Sequence, residues 1–308
     1  ESANWSDPNN WVEGVAPVSN DSVILVSAGT PPTNQDIPDL VLNVLTFSNT
    51  VLSMTLDGLP LTVGYIRALR SGSESAETYT IMPNVRLSQS ATAWIVQSRS
   101  TVVLEGQVGQ TVPGIFFSAN ENGNIIFKNT NTFSGGFRNN QTVAHFYQGD
   151  QALGPAPVTN VPVFFQTGFG SWRFRSDLPY VHQIINTNRG MRSTGTARLD
   201  PDGNVRVIYN GTIIEDAANK GIESRSTGWW VLGGNNTFSG NVGIGNAYGV
   251  IKMNHPNALG QGIATARISL YGTVDVNGHD LPTRWLSSNN GSGYLGAGML
   301  INSAEGTT

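Results

Sequence analysis

Val102-Val103-Leu104-Glu105-Gly106-Gln107-Val108 returns 105 residues later as Val207-Ile208-Tyr209-Asn210-Gly211-Thr212-Ile213. At the same offset Ile125-Ile126-Phe127 lies over Trp230-Val231-Leu232, and Asn131-Thr132-Phe133-Ser134-Gly135 over Asn236-Thr237-Phe238-Ser239-Gly240. Later landmarks drift by a residue or two: Ala152-Leu153-Gly154 matches Ala258-Leu259-Gly260 at 106, and Asp177-Leu178-Pro179 matches Asp280-Leu281-Pro282 at 103. A register held for over thirty residues without a gap points to internal duplication, and small drifts belong in loops. The spacing therefore predicts a β-rich N-terminal segment with cap and first coils over 1–100, a first copy over 101–205 and a second over 206–308.

Each copy is made of short β-branched or aromatic runs bounded by Gly, Asn, Asp, Ser or Pro. Besides those quoted, Val23-Ile24-Leu25-Val26, Val44-Leu45-Thr46-Phe47 and Val163-Phe164-Phe165 have this form, which reads as strands. Helical spacing of apolar residues is almost nowhere sustained, so the chain is expected to be all-β. A unit of 105 residues is too long for one coil of a solenoid and must hold several. Such coils bury their apolar faces only against one another. With coils of roughly 20–30 residues about 4.8 Å apart, a rod of about 50–70 Å is expected. The competing arrangement is two β-sandwiches of about 100 residues each; no linker-like segment separates the copies.

Composition narrows the function. Charged residues make up 12% of the 308, the net charge is -4, and Lys128, Lys220 and Lys252 are the only lysines. This is no electrostatic footprint for nucleic acid, and no basic run addresses an anionic membrane. No stretch approaches the roughly 20 apolar residues that span a bilayer, so no membrane insertion is expected. The absence of cysteine excludes disulfides, thiolate metal sites and a Cys nucleophile. No signal peptide precedes Glu1, a start that fits a mature chain after signal removal or an excised segment alike.

Asn131-Thr132-Phe133-Ser134-Gly135-Gly136, with Ala152-Leu153-Gly154 some twenty residues on, resembles the autotransporter-associated β-strand repeat. The second copy, Gly234-Asn235-Asn236-Thr237-Phe238-Ser239-Gly240 with Asn257-Ala258-Leu259-Gly260, is closer still. The opening, Trp5-Ser6-Asp7-Pro8-Asn9-Asn10-Trp11 with Pro17 and Asp21-Ser22-Val23, is similar to the start of large surface proteins carrying these repeats. The resemblance implies a right-handed parallel β-helix passenger, secreted or displayed at the bacterial cell surface, without catalytic residues. One departure is that no run of alternating segments for a C-terminal membrane barrel follows the second copy. In the motif itself, Phe suits the space between coils, Thr and Ser the exposed side of the pleat, and Gly a turn of positive φ. Asn at equivalent turns of stacked coils suits side-chain ladders.

Candidate chemistry is sparse. His145, His182, His255 and His279 lack metal-ligand spacing and fit surface or turn roles. Gly291-Ser292-Gly293-Tyr294-Leu295-Gly296 spells a dinucleotide fingerprint without the helix and acidic residue that would give it meaning. Asp200-Pro201-Asp202-Gly203-Asn204 places oxygens at alternate positions like a calcium loop, but its Gly comes two positions early and Gly211 stands where Glu belongs; a tight turn fits better. Parallel β-helices include polysaccharide lyases and glycosidases, which work with carboxylates placed about one bond. Asp21, Asp177, Asp200, Asp202, Asp216 and Asp280 are available, yet none forms an Asp-Asp pair. Glu215 adjoins Asp216, but neighbours on one strand face opposite ways. Asn277-Gly278-His279-Asp280 and Arg267-Ile268-Ser269 only partly echo polygalacturonase motifs. No enzyme, metal or cofactor is expected.

The remaining expectations concern surfaces. Trp5, Trp11, Trp172, Trp229, Trp230 and Trp285 could stack on a surface polysaccharide, though core or end-capping roles account for most of them. Trp229 and Trp230 differ, since adjacent strand residues face opposite ways and one must point outward. The second copy has 27 residues after Leu281, against 33 from Leu178 to Gly211 in the first. The last coil is thus expected to leave Leu295, Met299, Leu300 and Ile301 uncovered. Residues 1–60, with Trp5, Trp11 and Val23 to Val26, are the expected cover in a second copy, giving a head-to-tail homopolymer through 280–308. The function expected is an extracellular structural or adhesive rod or filament subunit. The alternatives are a carbohydrate-active β-helix enzyme and a phage-like tail spike, which would be a side-by-side trimer.

Overall fold

The computed structural model describes residues 2–26, 31–48, 53–69, 76–89, 94–166, 170–288 and 291–304. Glu305, Gly306, Thr307 and Thr308 of the tail lie outside the described residues. The chain divides into two compact units, residues 1–145 with 151–155, and residues 146–150 with 156–308. This division falls inside the 101–205 segment.

The β-branched runs form strands because each half of their side chains has a buried face to enter. In Ser100–Leu104 and Val205–Tyr209 burial alternates residue by residue, the period-2 pattern of a pleated strand. The first unit holds two parallel sheets. One runs Ser22–Val26, Val41–Ser48, Leu61–Leu69, Trp94–Val96, Phe117–Asn120 and Phe137–Asn139, with Val85–Leu87 also pairing Leu61–Leu69 and Val108–Gln110 pairing Val85–Leu87. The other runs Asn34–Gln35, Ser53–Gly58, Glu77–Ile81, Ser100–Leu104, Asn124–Phe127 and Val143–Phe146. The chain visits one sheet and then the other, so it winds as the coils of a β-solenoid.

The second unit winds in the same way over three parallel rows. These are Val161–Gln166 to Arg189–Ser193 to Ile213–Glu215; Val181–Ile185 through Val205–Tyr209, Trp229–Leu232, Val250–Met253 and Thr273–Asp275 to Leu300–Ile301; and Ala197–Arg198 through Ile222–Ser224, Val242–Ile244 and Arg267–Leu270 to Trp285–Ser288. Among the described residues no strand pairs antiparallel. Register partners lie 18 residues apart at the closest, Arg267 and Trp285, and 28 at the widest, Val161 and Arg189. The rungs are constant while the corners absorb the variation.

The core of each unit is the column of inward side chains. Phe117, Phe127, Phe133 and Phe137 form one aromatic cluster, with the Phe133 and Phe137 rings edge to face at 4.7 Å. Several polar groups that enter the column find partners there. The Tyr79 hydroxyl donates to buried Glu77 at 2.9 Å, and the Tyr209 hydroxyl to the Arg189 carbonyl at 2.7 Å. Burial first, and for Tyr79 the neighbouring carboxylate as well, holds both phenols far above their ordinary value. The buried Arg189 guanidinium is met by Asp150 at 2.7 Å.

The Asn-Thr-Phe-Ser-Gly segments have a specific task. Asn131 is buried; its Oδ1 accepts the Val108 amide at 2.8 Å and its Nδ2 donates to the Ala152 carbonyl at 2.6 Å. Asn236 does the same between the Ile213 amide, 2.8 Å, and the Ala258 carbonyl, 2.6 Å. Each amide thus bridges the preceding and following coils at a corner where no strand supplies partners. Thr132 and Thr237 amides donate to Val108 and Ile213 carbonyls, and Phe133 and Phe238 are buried. Ser134 Oγ accepts the Gly114 amide, as Ser239 Oγ accepts that of Asn219.

Two details differ from expectation. The motif Asn residues bond to backbone; amide-to-amide contacts between coils occur instead at Asn4 and Asn34, Asn120 and Asn140, and Asn235 and Asn257. Gly135 and Gly240 are not among the positive-φ residues. They are small because a Cβ there would strike the Ile115 or Asn219 carbonyl of the coil before. Positive φ falls to Gly154 and Gly260, at 76° and 75°, where a Cβ would strike the Phe133 or Phe238 carbonyl.

Asn131→Ala strands a buried amide and a buried carbonyl, so a loss of about 2–4 kcal/mol is expected in urea denaturation. Asn236→Ala should match it, while exposed Thr132→Ala should stay within about 0.5 kcal/mol. Equal effects at Asn131 and Thr132 would overturn the bridging role.

Candidate functional site

In the second unit Val181–Ile185, Val205–Tyr209 and Trp229–Leu232 pair in register, which sets His182 beside Arg206 and Arg206 beside Trp229 on one outward row. Trp230, the next residue, points inward and is fully buried. The Arg206 guanidinium lies over the Trp229 ring, 4.6 Å from its centre. Tyr294 meets Trp229 edge to face at 5.2 Å. With Tyr180 and Asn204 these residues line a cleft of about 190 Å³.

Both walls are held in place. The Asn204 side chain donates to the Ser176 and Leu178 carbonyls at 2.9 and 2.7 Å, fixing the turn that carries Tyr180, which is 87% exposed. Tyr294 sits in the short turn Tyr294–Gly296, its amide bonded to Thr273 Oγ1 at 2.7 Å and entered through Gly293 at φ 75°. The Gly291 to Gly296 glycines therefore build a turn that presents an aromatic side chain. Arg206 has no hydrogen-bond or ion-pair partner among the described residues, its Nε is shielded from solvent, and no carboxylate lines the cleft.

The acidic residues are engaged elsewhere. Asp202 pairs with Arg173 and Arg175 at 3.5 and 2.6 Å, and Asp216 with Arg192. Glu215 accepts from Ser239 Oγ at 2.6 Å and from the Lys220 amide at 2.9 Å. Asp200 accepts the Arg225 amide at 2.8 Å; burial raises its pKa above the ordinary range despite that bond. Burial also acts on Glu223, but hydrogen bonds from Arg225 and Arg198 outweigh it and keep that carboxyl low. The Asp200 to Asn204 oxygens thus serve coil-to-coil contacts, and no group of three potential metal ligands occurs among the described residues. His145, expected at a surface or turn, is instead buried and bonded to Asn124 Oδ1 at 3.1 Å.

The proposed surface residues separate into covered and uncovered ones. Trp5 is no surface: it is fully buried, its indole donating to the Pro32 carbonyl at 3.1 Å, with Trp11 edge-on at 5.7 Å. Trp11 is half-buried and donates to the Trp5 carbonyl at 2.7 Å. Trp172 is also core. Among the described residues strand Ser22–Val26 pairs on one side only, with Ile24 59% exposed beside a hollow lined by Trp11, Glu13, Val15 and Asp21. Strands Trp285–Ser288 and Leu300–Ile301 are likewise edges among the described residues. There Trp285 is 68% and Leu295 77% exposed, Leu300 is exposed, and Met299 and Ile301 are half-buried. Arg267 lines the hollow beside Trp285 and Leu286.

Asp275 fastens the segment behind this edge. Its carboxylate accepts the Ser303 amide and hydroxyl at 3.0 and 2.5 Å and the Asn277 amide at 3.0 Å, with Lys252 at 3.3 Å. Burial works against the charge, but these bonds, Ser303 first, hold the carboxyl below its ordinary 3.8. A depressed carboxylate contributes stability above its unfolded value and loses it as pH falls through the folded one. Hydrogen exchange should therefore show Ser303 protected at neutral pH and opening only below pH 3.8, whereas Asp275→Ala should leave it open throughout.

Searches of protein-family models, curated proteins and solved structures return no match to this chain.

Proposed function

We propose that the chain is an extracellular structural or adhesive protein, a right-handed β-solenoid of two copies that joins others head to tail into a filament. The observation that carries this reading is the pair of parallel edges left open among the described residues, Ser22–Val26 in one unit and Trp285–Ser288 with Leu300–Ile301 in the other, both bearing exposed apolar side chains. An edge strand offers a row of free amides and carbonyls to another chain. These edges lie at the first and last coils, so a contact that extends the parallel ladders joins unlike surfaces head to tail. Charge agrees with that pairing: Glu13 and Asp21 stand beside the first edge and Arg267 beside the second.

Two copies are supported by spacing. Strands Ser100–Leu104, Val108–Gln110, Phe117–Asn120, Asn124–Phe127 and Phe137–Asn139 are followed, each beginning 105 residues later, by Val205–Tyr209, Ile213–Glu215, Ile222–Ser224, Trp229–Leu232 and Val242–Ile244. The identical Asn131 and Asn236 bridges agree. Secretion to a bacterial surface rests on the likeness of the Asn-Thr-Phe-Ser-Gly segments to autotransporter-associated repeats. A non-enzymatic role is favoured because Asp200, Asp202, Asp216, Glu215 and Glu223 are committed to structural partners.

Electron microscopy and sedimentation at rising concentration should show unbranched fibres. Glu13→Arg and Arg267→Glu should each shift assembly to higher concentration, and the double exchange should restore it. Removal of residues 284–308 should abolish it. A monodisperse monomer at high concentration, or a side-by-side trimer, would overturn the reading, the trimer in favour of a tail-spike architecture.

A further inference from the structure

We propose that the cleft of Tyr180, His182, Asn204, Arg206, Trp229 and Tyr294 binds a uronic-acid unit of an acidic polysaccharide. The proposal stands apart from filament formation, since His182, Arg206 and Trp229 lie on strands away from both edges and only Tyr294 comes from the last coil. Three observations select the ligand class. The first is the cation: Arg206 lies over the Trp229 ring at 4.6 Å and has no anionic partner among the described residues. A guanidinium fixed in this way is poised for a carboxylate, which it can meet with two parallel bonds. His182 on the adjoining strand is exposed and adds donor capacity beside it.

The second observation is the walls. Tyr180 and Tyr294 flank the row, and Tyr180 is 87% exposed although its backbone sits at φ 52°, a conformation unfavourable for a bulky residue. Flat aromatic faces with polar rims suit the apolar face of a sugar ring, with hydroxyls left to Asn204 and the tyrosine oxygens. A bare anion would need no such walls. The third is the floor. Val205–Tyr209 and Trp229–Leu232 are paired on both sides and Val181–Ile185 on its side toward Arg206, so the backbone groups between His182 and Trp229 are taken up by the ladder and side chains alone face the ligand there. At about 4.8 Å per strand the row from His182 to Trp229 covers about 10 Å, room for two linked sugar rings.

Calorimetric titration of the full chain with trigalacturonic acid, galactotriose and inorganic phosphate tests this. Binding of trigalacturonic acid is expected, weakening with added salt, with galactotriose about tenfold weaker or worse and phosphate unable to compete. Arg206→Gln and Tyr180→Asn, the latter suited to positive φ, should each weaken binding about tenfold with unchanged thermal unfolding. No binding of trigalacturonic acid, equal binding of galactotriose, competition by phosphate at equal concentration, or an undiminished Arg206→Gln variant would each overturn the proposal. Should Arg206→Gln fail to fold, the exposed Tyr180→Asn decides alone.

Discussion

The structure depends on one requirement: each coil must hand its backbone amides and carbonyls to the coils before and after it. Along the strands the parallel ladder does this without regard to side-chain identity, so many β-branched sequences serve. At the corners no ladder exists, and an unpaired buried amide there would cost about as much as a lost core side chain. Asn131 and Asn236 answer that need with one side chain that both accepts and donates. An Asp could not donate to the Ala152 carbonyl, and a Gln would place its amide one carbon too far out. The motif is therefore a solution for a corner, and its Phe, Gly and Ala-Leu-Gly elements follow from how tightly that corner is wound.

Much of the architecture was legible because strand formation here is local. Val23 to Val26, Val102 to Leu104 and Val207 to Tyr209 carry their own evidence in β-branching and flanking turn residues, and all lie in strands. Adjacent Trp229 and Trp230 had to face opposite ways, and they do. The parallel sense followed from the need of successive coils to cover one another.

The cleft was not legible, since it is assembled by register between coils of unequal length. His182, Arg206 and Trp229 are 24 and 23 residues apart, a spacing recognisable only once the coil boundaries are known. Tyr294 arrives from a later coil through a glycine turn whose sequence resembles a different motif. Trp5 misled for a related reason: an aromatic near a terminus looks like a cap, but the Pro32 carbonyl and Trp11 enclose it. Burial of His145 was equally hidden, because it sits next to inward Phe146 on its strand and alternation alone would leave it exposed.

The side-chain bridges have a mechanical consequence. Within each unit the ladder bonds point from coil to coil, so tension along the stacking direction pulls on them lengthwise and would peel one coil at a time. Asn131 grips the backbone both at Val108 and at Ala152, tying three successive turns through one amide. A turn beginning to lift must drag its second neighbour before any rung lets go. Rivets of this kind spread load over several turns and turn a peeling failure into a collective one.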